Sequence, residues 1–132
     1  MNGLDMVLRF HKSRFMETEA ALKAFGALSQ DTRLEAFRLL IRHEPHGIAA
    51  GELARLLSVP PNTLSAHFNV LTRANLVTSE RRSRSIIYRA QLGKLEMLLL
   101  FLLQDCCDGR TDIRAKVMES VTRQLSTKKR GR

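Results

Sequence analysis

Three sets of residues in this 132-residue chain have types and spacing suited to chemistry. Cys106 and Cys107 are its only cysteines, and they are adjacent. A vicinal thiol pair can hold a soft ion, close into a strained and labile disulfide, or serve as two small apolar side chains. Arg81, Arg82 and Arg84 crowd together between two β-forming runs. Their mutual repulsion is relieved by an anion, which phosphate oxygens or a narrow minor groove can supply. Asn62, Thr63, Ser65, Ala66, His67 and Asn69 share the non-core side of a helical segment. They offer short, uncharged groups where a backbone must approach base edges closely. His67 borders the apolar stripe of that segment and suits equally a satisfied boundary position or a base or phosphate contact. His11, His43 and His46 have no partners at metal-ligand spacing and are expected at surfaces or turns.

Such side chains need rigid elements beneath them, and hydrophobic spacing indicates which. Ala21, Leu22, Phe25 and Leu28 mark the buried face of a first helix, with Glu17 and Glu19 in its first turn, where the helix dipole favours acids. Ser29 is expected to open a second helix buried through Leu34, Phe37, Leu40 and Ile41, and ended by Pro45 and Gly47. A third, short helix covers about 50–57, with Leu53, Leu56 and Leu57 inward. Pro60 disfavours helix at the residue before it, whereas Pro61 suits the first turn of a fourth helix, in which Leu64, Phe68 and Leu71 share one face. Two short strands follow, Leu76 to Glu80 and Ile86 to Ala90, joined by the arginine-rich tip.

Leu92 to Cys107 reads as a fifth helix that is apolar on nearly every side. A helix of that kind must be buried all round, and a chain this small encloses it most simply against a second copy of itself. A sixth amphipathic helix is expected within 109–125, along Ile113, Val117, Val121 and Leu125, and a disordered basic tail over 126–132. Residues 1–16 lack a clear period and are expected to form a flexible extension, in which Met16-Glu-Thr-Glu reads as an alternative start.

The composition narrows the function classes. Lys and Arg number 22 against 13 Asp and Glu, a net charge of +9, which favours polyanionic partners, nucleic acid first. The longest apolar run, Met97 to Leu103, is far too short to span a membrane, and no secretory signal pattern opens the chain. Two cysteines exclude a disulfide scaffold and fit a reducing cytoplasm. An enzyme is not expected: no histidine lies near the cysteines in sequence to act as base, and no glycine-rich phosphate loop or paired catalytic carboxylates are evident.

Helix, proline turn, helix and two-stranded hairpin is the order of a winged helix-turn-helix, whose second helix enters the major groove. The expected fold is therefore mainly α, with five to six helices and a two-stranded β-wing, over a core domain at 17–108. At the level of residues, Leu28-Ser-Gln-Asp-Thr-Arg-Leu-Glu-Ala-Phe-Arg-Leu-Leu resembles the second-helix signature of the ArsR family of winged-helix repressors. The run from Ala54 to Val77, with Ser65 and His67 as its Ser-x-His, resembles that family's helix-turn-helix. The resemblance covers roughly residues 17–108. It implies a homodimer joined through the first and fifth helices, repression by binding double-stranded operator DNA, and release when an inducer binds.

The family's inducer sites differ in position, and this chain matches them unequally. The third-helix Glu-Leu-Cys-Val-Cys pattern is absent, since Ile48-Ala-Ala-Gly-Glu-Leu-Ala stands there. The fifth-helix zinc pattern needs histidines, and none follows His67. The pattern Cys-Cys-x-Gly-x-Pro-x-x-Cys is matched from Cys106 through Gly109, but Thr111 replaces the proline and Arg114 the third cysteine. The resemblance thus implies Cys106 and Cys107 as ligands of a trivalent arsenic or antimony species, acting as inducer. Three thiolates fill the pyramid of the inorganic ion, whereas two leave a position for an organic substituent, as in methylarsenite, for hydroxide, or for Asp105 or Asp108. The alternative is an ArsR-type repressor sensing thiol oxidation or persulfide through the same cysteines.

Overall fold

The computed structural model describes residues 16–105 and 110–130, so Cys106 and Cys107 lie outside the described residues. The chain divides after Leu98 into two units.

The first unit begins with α1 (Thr18–Leu28), α2 (Asp31–Arg42), β1 (Ile48–Ala49), α3 (Ala50–Leu57) and α4 (Pro61–Arg73). The wing strands β2 (Val77–Arg82) and β3 (Ser85–Ala90) follow, and then α5 (Leu92–Leu100) starts. The sheet is antiparallel in the order β1-β3-β2, so the expected two-stranded wing gains a third, two-residue strand. That strand exists because Gly47, at φ 77°, carries the backbone hard against β3. A Cβ there would sit 2.6 Å from the Tyr88 carbonyl oxygen. Ile48 then pairs with Tyr88 and Ala49 with Ile87.

The core of the first unit is contributed by its helices and the wing: Phe37 and Leu40 of α2, Leu53 of α3, Leu64, Phe68 and Leu71 of α4, then Leu76, Val77 and Ala90 around the wing. Helix α1 departs from its expected face. It buries Ala21, Ala24 and Ala27, while Leu22 is 66% exposed and Phe25 half-buried. Small side chains let helices approach closely, so the alanine row faces the core and the large apolar residues turn outward. Leu34 and Leu56 are exposed as well, with Ala36 and Leu53 in the inward positions. Helix α2 is opened not by Ser29 but by Gln30, whose side-chain oxygen accepts the Arg33 N–H at 2.9 Å. Met16, placed in the flexible extension by sequence, is buried.

Within the second unit the α geometry of α5 gives way to a π-helical turn over Phe101–Asp105, where the sequence suggested unbroken α-helix to Cys107. Residues of this segment are not buried all round: of α5 only Leu98 is buried, and Leu99 is 53% exposed. Helix α6 (Thr111–Arg130) is longer than expected and runs into the tail that composition suggested was disordered. Lys and Arg are good helix formers and are favoured near a helix C-terminus, and the first glycine stop is Gly131. Its stripe of Ile113, Val117, Val121 and Leu125 is solvent-exposed. Among the described residues, no helix is long and apolar enough to cross a membrane.

Candidate nucleic-acid interface

Helix α3 ends at Ser58, which takes the left-handed conformation (φ 53°), and its N–H together with that of Val59 closes the last turn. Pro60 is extended and Pro61 occupies the first helical position of α4. This turn sets the direction of α4. Leu64, Phe68 and Leu71 fasten one side of it to the core, and Asn62, Thr63, Ser65, Ala66 and Asn69 are all exposed on the other. The expected polar face therefore exists as one surface.

Its hydrogen-bond character is partly set by the helix itself. Asn62 Oδ1 accepts the Thr63 N–H at 3.0 Å, which leaves the Asn62 amide NH2 as a free donor. Ser65 donates its hydroxyl to the Pro61 carbonyl at 3.0 Å and so presents oxygen lone pairs outward. His67, left open between two roles by the sequence, is half-buried, and its Nδ1 lies 3.3 Å from Arg33 Nη1 on α2. Nothing local in the sequence marks this pairing, because the partners are 34 positions apart.

The wing stands behind this helix. Phe68 on the buried side of α4 meets Tyr88 of β3 with ring centroids 4.2 Å apart, at 36°. Arg82 pairs with Ser85, and the chain reverses through Ser83 and Arg84, with Ser83 at φ 55°. Arg81 and Arg82 belong to the strand, and Arg84 to the turn. All three are exposed, but they are not equivalent. Arg82 reaches Glu80 at 3.3 Å, whereas Arg81 and Arg84 have no acid within ion-pair distance among the described residues. The anion demanded by three clustered arginines is thus met internally for one of them. Nearer the base of the wing, Arg89 of β3 binds Glu44 beyond the end of α2 (2.6 Å), and the Glu44 carboxylate holds the Arg89 pKa above its ordinary value.

The expected cysteine pair, Cys106 and Cys107, lies outside the described residues. Arg110, beyond the cysteines in sequence, donates to Asp112, from Nε at 3.0 Å, which offsets part of its charge. Among the described residues, no group of three or more His, Cys, Asp or Glu side chains is arranged to hold a metal ion.

Comparison with known proteins agrees with this geometry. A family described as a helix-turn-helix domain matches residues 28–80. No curated protein sequence matches the chain. Among solved structures, an ArsR-like transcriptional regulator from Rhodococcus sp. RHA1 is similar, at 27% identity and TM-score 0.59, over 78% of this chain and 92% of that one. HlyU from Vibrio cholerae N16961 is 26% identical with TM-score 0.53, over 67% of this chain and 97% of its own. Mb0332 from Mycobacterium bovis, described as a homodimeric winged helix-turn-helix DNA-binding domain, shares the fold at 22% identity and TM-score 0.54, over 70% of this chain and 82% of that one. Fold and motif together make this chain a winged helix-turn-helix protein, similar to an ArsR-like transcriptional regulator.

Proposed function

We propose that the protein is a homodimeric repressor that binds operator DNA through α4 and the wing, and releases it when a trivalent metalloid binds Cys106 and Cys107. The observation that carries the DNA-binding part is the exposed row Asn62, Thr63, Ser65, Ala66 and Asn69, backed by a wing whose Arg81 and Arg84 have no acid within ion-pair distance among the described residues. A helix of this kind fits the major groove, and arginines at the tip suit phosphates or the adjoining minor groove. The net charge of +9 adds attraction at longer range.

Dimerisation is supported by apolar side chains that the single chain leaves in water, Leu22 on α1 and Leu92 and Leu99 on α5. A two-fold dimer would present two recognition helices to successive major grooves of a palindrome. The likeness to the homodimeric Mb0332 domain points the same way.

For the inducer, support comes from donor chemistry. Adjacent thiols are soft ligands flanked by Asp105 and Asp108, and the loss of α geometry over Phe101–Asp105 precedes them. Side chains adjacent on an ideal α-helix diverge by about 100°, so bringing the two sulfurs onto one ligand requires a departure from that winding. Two sulfurs favour an arsenical that already holds one organic group, or antimonite, over a site built from three. Linkage then requires the liganded dimer to hold its recognition helices in a different relation to the groove.

The test is selection of duplexes from a random pool by the pure protein, with sedimentation of the free and bound forms. Recovery of a palindromic consensus by a dimer supports the reading; a monomer binding all duplexes alike overturns it.

A further inference from the structure

Arg33 joins three helices. Its backbone N–H closes the Gln30 cap of α2, its Nε donates to the Ala27 carbonyl near the end of α1 at 2.7 Å, and its Nη1 is 3.3 Å from His67 Nδ1 on α4. A guanidinium has only N–H donors and keeps its proton in proteins. The Nδ1 atom must therefore accept, and so carries a lone pair. In a neutral imidazole the single proton then sits on Nε2. Nε2 has no hydrogen-bond partner among the described residues, nor is it among the side-chain atoms buried without one, so it reaches water.

We propose that Arg33 is a positioning residue that locks His67 in its Nε2–H tautomer, so that α4 offers the duplex a fixed hydrogen-bond donor. This rests on the reading of α4 as the recognition helix. Without Arg33 the ring could carry its proton on either nitrogen, and the same side chain would present a donor or an acceptor. With it, the partner on DNA must be an acceptor: N7 or O6 of guanine, N7 of adenine, O4 of thymine, or a phosphate oxygen. The exposed amino group of cytosine is excluded. Because the donor is neutral, its loss weakens binding without changing the number of counterions released. The same guanidinium fixes the ring against the carbonyl end of α1, so the orientation of the donor depends on an element outside the helix-turn-helix.

The experiment has a protein arm and a DNA arm. Long-range nitrogen–proton NMR of His67 in the full chain is expected to show a protonated Nε2 and an unprotonated Nδ1. In Arg33→Lys, whose single ammonium cannot reproduce the guanidinium fork, both tautomers appear. Affinity for duplexes selected by the unmodified protein then falls about fivefold, the loss of one net hydrogen bond, at an unchanged salt slope. Duplexes carrying single 7-deazapurines, single 2-aminopurines in place of guanine, single 5-methyl-2-pyrimidinones in place of thymine, or single methylphosphonates separate the possible acceptors. One modified position should cost the unmodified protein about fivefold and cost His67→Ala nothing further.

A protonated Nδ1 in the unmodified protein overturns the proposal. So does Arg33→Lys binding with undiminished affinity while its ring populates both tautomers. If Arg33→Lys fails to fold, the ring assignment and the modified duplexes still decide. Should no duplex be selected at all while Nε2 is protonated, the DNA-binding reading has failed and the tautomer assignment stands.

Discussion

The ring of Phe68 lies 4.2 Å from that of Tyr88, centroid to centroid, and so couples the buried side of α4 to the middle strand of the wing. This aromatic contact joins the two surfaces proposed to face DNA. Phe68 is almost fully buried, so Phe68→Ala should cost about 3–5 kcal/mol, combining lost transfer energy with a cavity. Denaturant titration checks this; a loss below about 1 kcal/mol would mean the helix and wing are held by other contacts.

The wing arginines should differ from one another. Arg81→Ala and Arg84→Ala should each lower the slope of log affinity against log salt by about 0.9, one phosphate apiece. Arg82→Ala should lower it less, because Glu80 already competes for that guanidinium. Glu80→Gln should tighten DNA binding and steepen the slope. Affinity series at several salt concentrations check all four variants, and equal slopes throughout would remove the wing from the interface.

Gly47 is required by geometry rather than by a motif. Gly47→Ala should destabilise the fold by at least about 1–3 kcal/mol from the positive φ alone, with the approach to the Tyr88 carbonyl adding to it. Thermal unfolding measures the loss. A stability equal to that of the unmodified chain would show that β1 and β3 part easily.

Burial raises the Tyr88 phenol above its ordinary value near 10.0. Folding therefore favours the neutral ring. This contribution is complete below the unfolded pKa and is lost as pH rises through the higher folded one. Tyr88→Phe should leave neutral stability nearly unchanged, since no hydrogen bond to the hydroxyl occurs among the described residues, and should lessen the alkaline loss above about pH 10. Unfolding midpoints from pH 8 to 11 check the sign. A steeper alkaline loss in Tyr88→Phe would contradict it.

The residues themselves display α3 and α4 almost to their ends, because Pro60 and Pro61 punctuate them and Leu64, Phe68 and Leu71 keep a clean period. The polar row on α4 follows from the same period. Other features depend on distant partners. The face of α1 is hidden in the sequence because periodicity alone does not say whether leucines or alanines meet the core, and close helix packing selects the alanines. Strand β1 is two residues long and owes its existence to β3, some forty positions later. The clasp of Arg33 on His67 spans 34 positions and has no local signature. Around Cys106, chemistry is legible in the residue types while geometry is not, since adjacency in sequence does not say whether two sulfurs converge.

The most direct measurement follows fluorescence anisotropy of a selected duplex bound to the reduced protein during titration with methylarsenite, arsenite and antimonite. The account predicts release near stoichiometric ligand, strongest for methylarsenite or antimonite, and no release from Cys106→Ser or Cys107→Ser proteins that still bind the duplex. Unchanged anisotropy with every metalloid, or equal release from both serine variants, would contradict it. Release by peroxide or polysulfide alone, with a Cys106–Cys107 bridge in the mass spectrum, would assign the thiols to oxidation instead.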